Sequence, residues 1–339
     1  LWMPPSLPYY NLAGKYDQED IAGFTKRLVF SSWHVVPKVI AALTSYEAER
    51  RCTLSFEPNA KNTPQERKRH RPLLRFGFSD NRLTGMPVLG LVYPSAALAE
   101  ATDPLNLSKD LLEASNPPDL CEIFAAARQR VATLIEALPS DDTAEDSLSE
   151  EWYWAAPILM DALVRPDEVR DWFEQEALAS KWSGVDPATD SDRESKWPDQ
   201  VNRARKLLQD FAKGSIHLGK KPANLIDVLT WLGLAGPAAC SWRSLMRISA
   251  QSSSLVMRNL AGKMGHAFLT LFNLPESLSL VRADKEDGDR KEPYWTQVLK
   301  YSADGCLQAV LDEYVHILRE SLGRVDAIDE TAIADIAAA

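Results

Sequence analysis

Cysteine is scarce in this chain. Its 339 residues hold four, Cys52, Cys121, Cys240 and Cys306, far apart and without a C-x-x-C pair. That spacing excludes a disulfide framework and a zinc ribbon, and it fits a reducing, cytoplasmic compartment. Long apolar runs are missing too: no stretch approaches the ~20 residues that cross a bilayer, so no membrane role is expected. The first residues, LWMPPSLPYYNLAG, lack the basic start and unbroken apolar core of a signal peptide. They begin on leucine, which reads as a piece of a longer polypeptide. Positive charge is in the minority, 38 Lys and Arg against 48 Asp and Glu, for a net −10. A surface that wraps nucleic acid or an anionic membrane throughout is thereby excluded, and any such contact must be local.

Apolar residues make up 45% of the chain, ordinary for a packed soluble core. Residues 1–20, with Pro4, Pro5 and Pro8 and no periodicity, read as an extended strap carrying Trp2, Tyr9 and Tyr10. Arg27 to Ser31 have strand-forming character and run into a helical pattern in which Val36, Ile40, Leu43 and Tyr46 recur at three- and four-residue spacing. Ser32 is the expected cap of that helix, which would put Pro37 in the tolerant first turn. LLRFGF (Leu73–Phe78) and VLGLVYPS (Val88–Ser95) read as two short strands, with Ser95 capping a helix over AALAEA. From residue 108 almost everything is helical. Three acidic breaks at 140–151, 183–199 and 283–293 are expected to be solvated. The expected architecture is mainly α: a strap (1–20), a small α/β element with a basic loop (21–107), a large helical domain (108–325) and a flexible tail (326–339).

Most chemical motifs dissolve on inspection. GSIHLGKK (Gly214–Lys221) has P-loop spacing, but Lys221 stands where a Ser or Thr must hold Mg²⁺, and a helix precedes it rather than a strand. The reading is a glycine helix stop and a loop. DEYV (Asp312–Val315) resembles the acidic box of nucleotide hydrolases, yet it lies in a helical stripe of Leu307, Val310, Leu311, Tyr314, Leu318 and Leu322, which would turn Asp312, Glu313 and His316 outward. The histidines, His34, His70, His217, His266 and His316, never reach metal-ligand spacing. Trp152, Trp154, Trp172, Trp231, Trp242 and Trp295 fall on helical stripes and read as core. One cluster does stand out: Lys61, Arg67, Lys68, Arg69, Arg71 and Arg75 in a polar loop, able either to neutralise phosphates or simply to be solvated.

RLVFSSWHVVPKVIAAL, followed by SYEAER, resembles motif IV of superfamily 2 helicases and Swi/Snf-type DNA translocases, in the form found in large bacterial helicase-like proteins associated with antiviral defence. The helical tail, FNLPESLSLVR through YWTQVLKY to LQAVLDEYVHILRE, is similar to the insertion these proteins carry in the second RecA-like lobe. The resemblance implies a partial RecA-like element in which Leu28, Val29 and Phe30 form a buried parallel strand. It implies that Ser31, Ser32 and Trp33 line the DNA groove, where a hydroxyl or helix N-terminal N–H can bond a phosphate. Lys61, Arg67, Lys68, Arg69 and Arg71 would be second-line phosphate contacts. ATP and Mg²⁺ belong to the parent ATPase. The P-loop, strand-borne acidic box and arginine finger have no counterpart in this sequence, so no cofactor and no hydrolysis are expected of this chain alone. Its implied partners are DNA and the remainder of the helicase-like polypeptide or another protein. The alternative is a non-enzymatic helical interaction module.

Overall fold

The computed structural model describes residues 30–33, 35–56, 63, 72–79, 82–112, 118–139, 149–184, 196–249, 254–282, 292–321, 323 and 330–338. The expected strap, most of the basic loop and most of the acidic breaks lie outside the described residues. The chain divides into two compact units, Leu1–Glu66 and Arg67–Ala339. In the first, the described residues are a short turn, Phe30–Trp33, one long helix, α1 (Val35–Phe56), and Thr63.

Among its described residues the second unit is mainly helical with one short hairpin, a mainly α fold with a small β element. β1 (Gly77–Ser79) pairs antiparallel with β2 (Arg82–Thr84) in the register Gly77–Thr84, Phe78–Leu83 and Ser79–Arg82. The hairpin is pinned by side-chain amides. Asn273 takes the Leu74 N–H on Oδ1 at 2.9 Å and donates Nδ2 to the Leu74 carbonyl at 2.8 Å, standing in for a neighbouring strand. Gln200 Nε2 donates to the Thr84 carbonyl at 3.1 Å.

Three expectations need correction here. Val88–Ser95 is not a strand: Val88–Val92 form a short helix, α2, and Tyr93–Ser95 run on as extended backbone. A five-residue apolar run buried on every side carries no periodicity to separate strand from helix, and the partner for β1 comes instead from Arg82–Thr84. The tail is also not structureless throughout, because Glu330–Ala338 is helical, with Ala332, Ile333 and Ile336 almost fully buried. Residues 72–107, expected with the first element, share the core of the helical unit through Leu74, Phe76 and Leu89–Tyr93.

After α2 the order is α3 (Ala96–Ala101), α4 (Pro104–Leu111), α5 (Leu120–Glu136), α6 (Trp152–Val164), α7 (Pro166–Glu174), α8 (Leu178–Ser183), α9 (Trp197–Ala212), α10 (Leu225–Ala235), α11 (Pro237–Ile248), α12 (Ser254–Phe272), α13 (Pro275–Arg282), α14 (Tyr294–Asp304), α15 (Leu307–Ser321) and α16 (Glu330–Ala338). Local chemistry sets many of these ends. Ser95 caps α3 by accepting from the Leu98 N–H, Asp103 caps α4 with Pro104 at its first position, and Asp119 and Glu122 form a reciprocal capping box on α5. Gly236 and Pro237 break α10 from α11 with a bend of 43°. Among the described residues no single helix is long and apolar enough to cross a membrane.

The centre is aromatic. Trp182 packs against Trp172 at a tilt of 56° and against Trp197 edge to face, with ring centroids 4.7 and 4.8 Å apart, beside Tyr93 and Phe173. Each indole N–H is satisfied, by Asn259 Oδ1, the Val92 carbonyl and the Ala179 carbonyl. Trp152, Trp154, Trp242 and Trp295 are buried and Trp231 is half-buried, so the expected tryptophan core is present. Around it α12 packs on α8, α11 and α16, α11 on α15, and α10 on α5 and α14.

Candidate functional site

In the first unit the chain turns at Ser31. Its Oγ accepts the Trp33 N–H at 3.1 Å, and the Trp33 carbonyl accepts from Val36 N–H at 3.1 Å, starting α1. The helix therefore begins at Val35, later than a Ser32 cap requires, and the hydroxyl that orders the turn is that of Ser31. Pro37 still falls in the first turn, where no intrahelical N–H bond is lost. Ser31, Ser32 and Trp33 are all exposed, Trp33 at 71%. Of the expected strand, Leu28 and Val29 lie outside the described residues, and Phe30 belongs to no strand and is 87% exposed. Lys61, Arg67, Lys68, Arg69 and Arg71 also lie outside the described residues; Arg75 is exposed.

The helix that follows has an unusual surface. Val35, Val39, Leu43 and Tyr46 form one row and Val36 and Ile40 the next, so at 100° per residue they span about 140° of the circumference. Five of the six exceed a third exposure, led by Leu43 at 64%. A globular helix normally turns such a stripe inward. Below it Glu47 accepts from Arg50 Nε at 2.7 Å and Arg51 Nε at 2.8 Å, and these hydrogen bonds hold its carboxyl down at a pKa of about 2.

The helical unit buries charge at two places. At the first, Asp161 on α6 sits with no solvent exposure and receives five donors. Ser95 Oγ and the Ala97 N–H reach Oδ1 at 2.9 and 2.8 Å; Tyr93 Oη, the Ala96 N–H and Arg258 Nη1 reach Oδ2 at 2.9, 3.2 and 2.7 Å. The carboxylate thus caps the N-terminus of α3 from a distant helix while neutralising Arg258 of α12. Burial alone pushes the Arg258 guanidinium down, but the charge of Asp161 outweighs it and the net shift is upward. Burial, then Asp161, pushes the Tyr93 phenol well above its ordinary value. The guanidinium also faces the Trp242 ring at 5.3 Å.

The second buried charge is Arg243 on α11. Nη1 donates to the carbonyls of Ala99 and Gly233 and to Thr102 Oγ1, Nη2 to the Leu234 carbonyl, and Nε to Gln308 Oε1 at 2.5 Å. Burial lowers its pKa. Gln308 passes the network on to Ser244 and to Asp312, at 2.9 and 2.8 Å, and Asp312 pairs with Arg247, which also bonds Asp103 at 2.6 Å. This continuous seam joins α3, α10, α11 and α15. It corrects the reading of the DEYV segment: Asp312 turns inward, whereas Glu313 and His316 are exposed as expected. The buried line of α15 is Gln308, Leu311 and Val315, rotated from the apolar stripe read in the sequence, and Tyr314 is 46% exposed.

Gly214, at φ 67°, ends α9 as the sequence predicts. Its N–H bonds the Phe211 carbonyl and the Ser215 N–H bonds the Asp210 carbonyl, the paired bonds of a glycine C-cap. Lys221 of the same segment donates Nζ to the carbonyls of Ile135 and Leu138, closing the end of α5, and lies 5.1 Å from the Trp152 ring. The lysine of the P-loop-like spacing is thus engaged with a helix terminus.

Sequence reading missed Asp161, Arg243 and Arg258. Each carries the same signal, a single charge inside an otherwise apolar or small-residue helical run: ILMDALV, CSWRSL and VMRNLAG. No protein-family model, curated protein or solved structure matches the chain.

Proposed function

We propose that this chain is part of a helicase-like DNA translocase of the bacterial cytoplasm, contributing the start of a second RecA-like lobe and its helical insertion, without catalysing ATP hydrolysis itself. The supporting observation is the α1 face. A helix that follows a small polar turn and offers Val35, Val39, Leu43 and Tyr46 to solvent has the surface that the helix of a parallel α/β unit lays on its sheet. On this reading the sheet is polypeptide supplied elsewhere in the parent protein. Covering the face contributes roughly 1 kcal/mol for each half-exposed side chain. Ser31, Ser32 and Trp33 line the groove for DNA, and Lys61, Arg67, Lys68, Arg69 and Arg71 add non-specific phosphate contacts beside it.

The test is duplex binding followed by anisotropy across salt concentration. Each phosphate contact contributes about 0.9 to the slope of log K against log salt. The wild-type chain is expected to bind at low salt with a steep slope, and the R67A/K68A/R69A/R71A variant to bind weakly with a slope shallower by about 3.6. No affinity at low salt, or equal affinity in the variant, would leave the second reading: a helical module whose α1 face docks a protein and whose basic loop meets an acidic surface.

A further inference from the structure

A groove of about 390 Å³ lies between α7 and α9, with Ala162 of α6 also in its wall. Its apolar lining keeps accessible surface: Ala162, Leu208 and Phe211 are half-buried, and Pro166 and Ala212 are exposed. Three charged side chains share the wall, Arg170, Glu174 and Arg205. Arg170 is neutralised by Asp167 at 2.9 Å and Asp171 at 3.3 Å. Arg205 is held without being neutralised. Its Nε donates to the Phe173 carbonyl at 2.8 Å and its Nη1 to Asn202 Oδ1 at 3.1 Å, which fixes the plane of a half-buried guanidinium. Among the described residues Nη2 has no hydrogen-bond partner and no carboxylate pairs with the group; unlike the unpartnered atoms of the core, Nη2 keeps accessible surface. Glu174, next in sequence to the residue that holds Arg205, is exposed and also has no ion-pair partner among the described residues.

These charges define an occupant. A wholly apolar molecule would strip water from Arg205 and return nothing to it. A simple anion would satisfy Arg205 but meet Glu174, and a simple cation would do the reverse. A molecule with one charge of each sign beside an apolar body satisfies the whole wall. An engineered apolar cavity of about 150 Å³ takes up one benzene ring, so a space of this size accepts about two fused rings. We propose that the groove binds a free α-amino acid with a large aromatic side chain, its ring against Leu208 and Phe211, its carboxylate on Arg205 Nη2 and its ammonium on Glu174. This site is independent of DNA and of the α1 face.

The probe is L-tryptophan, titrated against the full chain by calorimetry, and saturable binding is expected. Tryptamine, which lacks the carboxylate, should bind about tenfold more weakly. Indole-3-propionate, which lacks the ammonium, should bind about threefold more weakly, because Glu174 is exposed and its pairing is screened. R205M should weaken tryptophan about tenfold and leave tryptamine unchanged. E174Q should weaken tryptophan about threefold and leave indole-3-propionate no weaker. A merely structural role for either residue would instead weaken all three ligands together. The ranking of the three on the wild-type chain tests the site even if a variant folds poorly. Absence of saturable tryptophan binding, equal or tighter wild-type binding of tryptamine or indole-3-propionate, unchanged tryptophan affinity in folded R205M or E174Q, or a parallel loss of all three ligands in either would overturn the proposal.

Discussion

Asp161 and Arg258 meet at 2.7 Å on two helices nearly a hundred residues apart in sequence, and neither side chain has any exposed surface. Removing one partner strands the other's charge in the core, a loss of about 3–5 kcal/mol. Asp161→Ala adds the loss of the α3 cap, so its cost should equal or exceed that of Arg258→Met. Urea unfolding of the two single variants and the double variant measures this. The double variant should lose less than the sum of the singles, because they share one interaction; strict additivity would show that the pair is not coupled.

Alkaline pH should weaken the fold through its buried tyrosines. Tyr294 donates to the Phe272 carbonyl at 2.7 Å, and burial raises its pKa from 10.0 to about 12; Tyr93 moves further in the same direction. Below pH 10 both folded and unfolded states keep these protons. Above it the unfolded chain releases them first, which lowers its free energy relative to the native state, and stability falls with rising pH. The Tyr294 contribution is lost between pH 10 and about 12. Unfolding midpoints should decline over that interval, and Tyr294→Phe should decline less steeply. A wild-type profile flat across the window would contradict this.

Gly262 on α12 faces the Trp182 indole so closely that a Cβ would lie 2.5 Å from Cδ1. Trp182 cannot retreat, since it is fully buried, packed against Trp172 and Trp197 and bonded to the Val92 carbonyl. Gly262→Ala should therefore cost about 1–3 kcal/mol despite its gain in helix propensity. Thermal unfolding followed by near-UV circular dichroism, which reports the tryptophan cluster, is the measurement. A neutral or stabilising result would mean that the helix and indole separate easily.

The α1 face makes the opposite prediction. Val39 and Leu43 are 47% and 64% exposed, so Val39→Glu with Leu43→Glu should shift stability by no more than about 0.5 kcal/mol. It should also reduce binding of an apolar dye such as ANS. A loss above about 2 kcal/mol would show that the face is buried within this chain.

Most helices, the Ser95 cap and the tryptophan core were legible because each has a local signature: three- and four-residue spacing, a serine just before AALAEA, Gly214 after a periodic run. Val88–Val92 was not, since a run buried on all sides looks the same as strand or helix. Asp312 was misread because apolar periodicity assumes that charges face water, whereas here the inner face of α15 is polar and meets Arg247 and Ser244. The register of a helix with a polar inner face is set by partners on other helices, which no window of its own sequence contains. The short turn Ser31–Trp33 is a different case: the DNA contact proposed for it comes from the resemblance rather than from a local signature, and its exposure leaves it free to make one.

That contact is the centre of the functional account, and site-specific photocrosslinking tests it most directly. With a photoreactive amino acid replacing Ser32, and in a control replacing exposed Gln209 on α9, the chain is irradiated with labelled duplex DNA at low salt. The account predicts a salt-sensitive covalent adduct from position 32 and little from position 209. Equal yields at the two positions, or no adduct from position 32, would contradict it.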